Sequence, residues 1–164
     1  MGYESTRYTK VITTKFQAPD LGEYLCEKME ERPYSSIENY LLTEETYKDY
    51  IIFNYDNGYP QGIDELLECN ILQHFQCRTL TYFYNDCYDI SILINGIEQA
   101  IYYPYGEEPK LEILDNDGKV TNTYYFDKVF ADNKELEKII LDGLITDSNF
   151  QLENAILSFF NVNK

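Results

Sequence analysis

Residues 88–103, YDISILINGIEQAIYY, carry the clearest structural signal in the chain. Asn95-Gly96 separates two runs rich in β-branched and aromatic residues, which is the preferred sequence of a type I′ hairpin. The register set by this turn gives three facing pairs: Ile94 with Ile97, Ile92 with Gln99 and Ile90 with Ile101. All five isoleucines of these pairs are therefore predicted to face the core and the terminal helices. The opposite face then carries Asp89, Ser91, Leu93, Glu98, Ala100 and Tyr102.

Strands are also predicted on both sides of this hairpin. Arg78–Tyr84 precedes it, while Lys110–Leu114 and Lys119–Phe126 form a second hairpin around the turn at 115–118. All three segments alternate with a period of two and are bounded by turn residues. We expect an antiparallel meander of about five strands, with a further strand at Thr6–Thr14.

Helices are predicted before and after the meander. Apolar residues at helical spacing indicate helices from Asp20 to Met29, over 35–41, from Asp64 to Phe75, after Asp132 or Asn133, and from Ser148 onwards. Residues 43–53 are also predicted to be helical, although YIIFNY at 50–55 equally fits a strand. Because helices and strands do not alternate, the fold class is α+β, with residues 1–164 in a single domain.

The charge balance restricts the class of partner. The chain has 164 residues, 29 acidic and 13 basic, and a net charge of −16, while 44% hydrophobic content is compatible with a folded core. The electric field of this negative charge repels nucleic acids and anionic membranes, so direct binding to either is not expected. The sequence shows no signal peptide and no apolar run of about 18 residues, which predicts a cytoplasmic protein. A basic protein is the favoured partner.

Metal, cofactor and catalytic motifs were each compared with the sequence. The order Cys69-x4-His74-x2-Cys77-x9-Cys87 offers zinc-type ligands without paired knuckles, so free thiols are the favoured interpretation and zinc is the alternative. Asp115-x-Asp117-Gly118 resembles part of a calcium loop, but Phe126 stands where that loop needs glutamate. No phosphate loop, nucleophile elbow or metalloprotease motif is found. We expect no metal, no cofactor and no catalytic residue.

The segment from Asp49 to Pro109 is unusually acidic and rich in tyrosine. Its ten acidic residues and one basic residue, Arg78, give a charge of −9, and it also holds nine tyrosines. Tyrosine is enriched at binding surfaces, and its ring attracts cations. The segment therefore predicts a surface for a basic partner, although many of the tyrosines would pack in a sheet as ordinary strand formers.

The candidate contacts with this partner are residues on turns and connections, where side chains are accessible. They are Asp86 and Asp89 at one turn, Tyr103, Tyr105, Glu107 and Glu108 at the next connection, and Asp115 and Asp117 at the second hairpin tip. Glu107 and Glu108 are the strongest candidates, because Pro104, Gly106 and Pro109 favour an exposed loop.

Residues 42–58, LTEETYKDYIIFNYDNG, resemble the SUKH family of bacterial immunity proteins. That family has a Leu-Pro…Tyr…Phe-Leu…Asn-Gly-Gly run at similar spacing. Thr43 stands at the position of its proline, and a single Gly58 follows Asn57. The resemblance covers 17 residues and implies an immunity function without assigning residues that contact the toxin.

Two functions fit these observations. The first is an acidic immunity protein that binds a cognate bacterial toxin, such as a basic nuclease domain, and blocks its active site. The alternative is a phage or mobile-element inhibitor that mimics nucleic acid and occupies a CRISPR or restriction effector. Both need a basic groove on the partner, and neither fixes the oligomeric state.

Overall fold

A computed structural model describes residues 6–30, 42–55, 63, 65–84, 89–104, 109–126, 133–147 and 149–162. Its strands are β1 (Thr6–Thr14), β2 (Leu42–Thr46), β3 (Tyr50–Tyr55), β4 (Cys77–Tyr84), β5 (Ile90–Ile94), β6 (Ile97–Tyr103), β7 (Lys110–Leu114) and β8 (Val120–Tyr125). Its helices are α1 (Ala18–Glu30), α2 (Glu65–His74), α3 (Asn133–Thr146) and α4 (Leu152–Val162).

All eight strands lie in one antiparallel sheet of order β2-β3-β1-β4-β5-β6-β7-β8. The predicted five-strand meander is present as β4 to β8, where each strand pairs with the next along the chain. The sheet has three more strands than the meander, because β1 pairs with both β3 and β4 and thereby adds the β2–β3 hairpin. The α+β class is confirmed, but five strands was too few.

The prediction of a helix over residues 43–53 was wrong. These residues form most of the β2–β3 hairpin, in which Thr46 pairs with Ile51. Ile52 and Phe53 are adjacent and both buried, one on each face of the sheet. A strand that is covered on both faces does not alternate apolar and polar residues. The short apolar run that results fits a helix equally well.

Each face of the sheet packs against its own pair of helices. The inner face meets α3 and α4 in a large core, which includes Ile12, Ile52, Leu80, Ile92, Tyr102, Leu111, Leu136, Ile140 and Ile156. The outer face meets α1 and α2 in a smaller core made of Val11, Ala18, Leu21, Leu25, Phe53, Ile63, Leu67 and Ile71. Among the described residues, the smaller core contains none from β5 to β8.

The Asn95-Gly96 turn is confirmed, with positive φ angles of 53° at Asn95 and 78° at Gly96. These are the angles that a type I′ turn requires, and asparagine and glycine adopt them at low cost. The Asn95 side chain also accepts a hydrogen bond from the Thr79 amide at 3.0 Å, which fixes the turn against β4.

A β-bulge in β6 changes the face that we predicted for its second half. Ile94 pairs with Ile97 as expected, but Ile92 then faces Ala100 and Ile90 faces Tyr102, so Gln99 is an extra residue. Ala100 and Tyr102 are therefore buried in the large core, and the prediction that Ile101 faces the core was wrong. Ile97 lies at the end of the hairpin and is 53% exposed, so its predicted burial was also wrong.

The remaining predicted elements lie close to the observed ones. Helices α1, α2 and α3 cover the predicted segments, and α4 begins at Leu152, four residues after the predicted Ser148. The predicted helix at 35–41 and the turn at 85–87 fall outside the described residues.

A partly buried ion pair links α2 to β1. The guanidinium of Arg7 on β1 contacts the carboxylate of Glu68 on α2, which is 1% exposed. Glu68 also accepts a hydrogen bond from Thr81 at 2.9 Å, and Thr81 shares a hydrogen bond of 2.9 Å with Thr9. Arg7 donates to the carbonyl of Ile63 at 3.1 Å. A carboxylate this deeply buried needs such partners, because an uncompensated charge in the interior is costly.

Truncation of Ile92 tests the position of the large core. Ile92 is fully buried, so Ile92→Ala is expected to lower the free energy of unfolding by about 2–4 kcal/mol in a urea titration. The matched control is Ile97→Ala on the same hairpin, which should cost less than about 0.5 kcal/mol because its side chain is exposed. Similar losses for the two variants would contradict the burial of Ile92 and the exposure of Ile97.

Removal of one partner of the Arg7–Glu68 pair should cost more than neutralising both. Arg7→Met leaves the carboxylate of Glu68 buried without its counter-charge and should cost about 3–5 kcal/mol. Adding Glu68→Gln removes that charge and keeps a group that can bond Thr81, so the double variant is expected to regain part of the loss. A double variant less stable than Arg7→Met alone would show that the pair does not carry this penalty.

Candidate functional site

The outer face of β6 to β8 carries a row of large polar side chains. Tyr102 is buried in the large core, so the adjacent Tyr103 points to the outer face. Tyr103 pairs across the sheet with Lys110, and Lys110 pairs with Tyr125. The Lys110 ammonium lies 4.8 Å from the centroid of the Tyr103 ring, and Tyr125 at the end of the row is 59% exposed. This half of the outer face already holds one cation against an aromatic ring.

Carboxylates surround the Tyr103 hydroxyl. Partial burial raises its pKa most, a hydrogen bond with Glu112 raises it further, and the charges of Glu112, Asp89 and Glu98 add to the effect. Together they bring the pKa of Tyr103 to about 12, against an ordinary 10.0. The hydroxyl is therefore neutral at physiological pH and can donate a hydrogen bond, while the acids beside it supply negative charge.

We call this group the acidic tyrosine surface and define it by six residues: Asp89, Glu98, Tyr103, Lys110, Glu112 and Tyr125. It combines aromatic rings with carboxylates, and five of the six residues lie in strands β6 to β8, while Asp89 directly precedes β5. Such a combination can bind lysine and arginine side chains through ion pairs, cation–π contacts and charge-assisted hydrogen bonds.

The structure brings together only some of the residues predicted from sequence. Tyr103 and Asp89 lie together on the acidic tyrosine surface. Asp115 lies in the β7–β8 turn, where its carboxylate accepts hydrogen bonds from the Asp117 and Lys119 amides at 2.9 Å. Asp115 therefore has a structural role, while the side chain of Asp117 is exposed. Four further predicted residues, Asp86, Tyr105, Glu107 and Glu108, lie outside the described part of the chain.

Sequence reasoning missed Glu98, Lys110, Glu112 and Tyr125 as members of this surface. Alternation along β7 and β8 could have placed Lys110, Glu112 and Tyr125 on one face together. The bulge at Gln99 prevented the same deduction for β6, because it moves Tyr103 to the opposite face from the one that the hairpin register alone predicts.

A cleft lies at the end of the sheet where β1 and β3 meet α3. This cleft of about 820 Å³ is lined by residues that include Thr13, Asp49, Tyr50, Cys77, Arg78 and Ile145. The Arg78 guanidinium donates to the carbonyls of Leu144 at 2.8 Å and Asp147 at 2.5 Å. A cation at the carboxyl end of a helix satisfies carbonyls that lack partners, so Arg78 has a structural role in fixing the end of α3.

The thiols of the sequence-predicted zinc alternative are dispersed. Cys69 and His74 are exposed on α2, and Cys77 is half-buried on β4. Burial, with a smaller contribution from the charge of Glu68, raises the pKa of Cys77 to about 12, which disfavours the thiolate that metals and nucleophilic attack require. Cys87 lies outside the described residues, and within them no three His, Cys, Asp or Glu side chains are grouped as metal ligands would be.

Comparisons with protein-family models, characterised proteins and solved structures give no match. Within the described residues, the helices are all too short or too polar to cross a bilayer.

Substitution of Tyr103 should change the response of stability to alkaline pH. The folded state holds the Tyr103 proton up to pH of about 12, whereas an unfolded tyrosine loses it near 10.0. Between these values the unfolded state binds fewer protons, so the free energy of unfolding falls as pH rises. Tyr103→Phe removes this contribution, and its stability, measured by urea titration from pH 9 to about 12, should fall less steeply than that of the wild type. Parallel pH profiles would contradict the placement of Tyr103 among these carboxylates.

Proposed function

We propose that the protein is an acidic immunity protein of the cytoplasm, which binds a basic toxin domain and blocks its active site. A nuclease domain is the favoured target, because its substrate-binding groove must attract polyanions. The observation that carries this proposal is the acidic tyrosine surface, where the Lys110 ammonium lies over the Tyr103 ring and the charges of Glu112, Asp89 and Glu98 act on the Tyr103 hydroxyl.

The negative charge and the tyrosine side chains support different stages of binding. The net charge of −16 acts at long range and steers a cationic partner, so association can approach about 10⁸–10⁹ M⁻¹s⁻¹ at low salt. Tyrosine acts at contact, because its ring buries a large area while its side chain loses little entropy. Inhibition then requires only occupation of the partner's groove, and no chemical step by this chain.

The support for an immunity protein over a nucleic-acid mimic comes from the composition of this surface. A mimic is expected to present rows of carboxylates at phosphate-like spacing. Here the row across β6, β7 and β8 is Tyr103, Lys110 and Tyr125, with carboxylates around it. An ammonium in the middle of the row suits a protein partner with mixed side chains better than a groove shaped for a polyphosphate backbone.

Purification of the tagged protein from its native host tests the proposal. We expect mass spectrometry to identify one stoichiometric cationic protein with a nuclease domain, and equimolar addition of this protein should abolish its cleavage of DNA or RNA. Recovery of a CRISPR or restriction effector would support the nucleic-acid mimic instead. Recovery of no stoichiometric partner would contradict both functions.

Charge reversal on the surface should slow association with that partner. Asp89→Lys with Glu98→Lys changes the net charge by four at the acidic tyrosine surface, and we expect a lower association rate with a weaker dependence on salt. The matched control is Glu23→Lys with Glu27→Lys, which makes the same change at exposed positions on α1. Equal effects of the two variants, measured by stopped flow across ionic strength, would show that only the total charge matters.

A further inference from the structure

Strand β8 forms one edge of the sheet that the described residues build, and its sequence lacks the usual protection of an edge. Residues 120–125, VTNTYY, contain no charge and no proline, and all but Tyr124 are exposed. The opposite edge strand, β2, reads LTEET and carries two adjacent carboxylates, Glu44 and Glu45. Charged side chains and prolines on edge strands normally prevent pairing with other chains, so β8 is the edge more open to an additional strand.

The backbone of β8 offers regularly spaced hydrogen-bonding groups on its open side. The Phe126 amide donates to the Pro109 carbonyl at 2.7 Å, which places the amide of Phe126 on the side of β7. In an antiparallel pair the direction alternates, so Leu111 with Tyr124 and Ile113 with Asn122 also bond within the sheet. The amides and carbonyls of Thr123 and Tyr125 consequently point away from β7, toward the open edge.

We propose that β8 is a docking strand, to which a β-strand of the basic partner adds as a ninth strand of the sheet. This inference rests on the proposed function and names the contact by which the partner binds. Main-chain hydrogen bonds to Thr123 and Tyr125 would supply affinity, and side chains of the added strand would meet the two faces of the sheet alternately.

The charges near β8 select a strand with basic side chains. On the outer face, Thr123 pairs with Glu112, and Tyr125 ends the row of the acidic tyrosine surface. On the inner face, the Glu153 carboxylate of α4 accepts hydrogen bonds from Asn122 at 2.7 Å and from Tyr124 at 3.1 Å. A strand that places lysine or arginine on either face therefore meets a carboxylate. A second copy of this chain is disfavoured as the occupant, because each copy carries −16.

A peptide probe tests the docking strand without the natural partner. The probe is a synthetic nine-residue peptide in which lysine alternates with valine, titrated into the intact protein while backbone amides are followed by NMR. We expect the amides of Thr123 and Tyr125 to shift most and to gain protection from hydrogen exchange. Two control peptides, one with glutamate for lysine and one with proline at the central valine, should bind at least about tenfold more weakly.

A proline variant separates backbone pairing from general charge attraction. Thr123→Pro removes an amide that points to the open edge and leaves the bonds between β7 and β8 in place. It should lower the affinity for the lysine peptide by about tenfold or more.

The matched control is Glu44→Pro on β2. The Tyr47 amide donates to Tyr50, so alternation also directs the Glu44 amide outward. This control removes one carboxylate, so up to about a twofold loss is expected from charge alone. Thr123→Lys, which keeps the backbone intact and adds a repelling charge, should reproduce the loss if Thr123→Pro fails to fold.

Any one of four results would overturn the docking strand. The first is a set of NMR shifts spread over all acidic regions without preference for Thr123 and Tyr125. The second is equal binding by the proline-containing peptide. The third is a concentration-dependent dimer in sedimentation that Thr123→Pro abolishes, which would assign the edge to a second copy. If the partner purified from the native host is still bound and inhibited by Thr123→Pro with unchanged affinity, the docking strand is wrong while the immunity function stands.

Discussion

The central constraint on this fold is that one half of a continuous sheet contributes to two cores, whereas the described residues of the other half contribute to the large core alone. Strands β1 and β3 contribute Val11 and Phe53 to the smaller core and Ile12 and Ile52 to the large core. Strands β6 and β7 contribute Ala100, Tyr102 and Leu111 to the large core alone. The described helices, of 10 to 14 residues, cover this sheet, with α3 and α4 on the inner face and α1 and α2 over the outer face of β1, β3 and β4. The other elements fit this unequal division.

The same division explains which elements could be predicted from the sequence. The meander has strong local signals, because its strands are rich in β-branched and aromatic residues and its turns use Asn95-Gly96 and Asp115–Gly118. The β2–β3 hairpin lacks that alternation, since Ile51, Ile52 and Phe53 follow one another into cores on opposite faces. The bulge at Gln99 could not be deduced either, because both registers of β6 bury apolar residues, and packing of Tyr102 against Phe126, with ring centroids 5.8 Å apart, occurs in only one of them.

The amino-acid composition predicts the candidate site more directly than any sequence motif does. Charge and tyrosine content predicted the kind of partner, and they identified Tyr103 and Asp89 by their position in the acidic segment. They could not identify Glu112 or Lys110, which belong to another strand and become neighbours of Tyr103 only through pairing in the sheet. The surface is therefore a property of the β6–β7 register. Its tyrosine hydroxyl is held by a fixed backbone, which lowers the entropy lost when a partner binds.

The position of β1 has a consequence for how the chain folds as it leaves the ribosome. Thr6 pairs with Tyr84 and Lys10 pairs with Asn54, so β1 lies between two strands that are synthesised after it. Its hydrogen-bonding groups must wait about 40 further residues for β3 and about 70 for β4, whereas the hairpins of the meander close over short loops. Local contacts at the carboxyl-terminal side can therefore form before the amino-terminal strand finds its place. During translation, β1 is the segment most exposed to mispairing, and the high negative charge of the growing chain keeps such intermediates apart from one another.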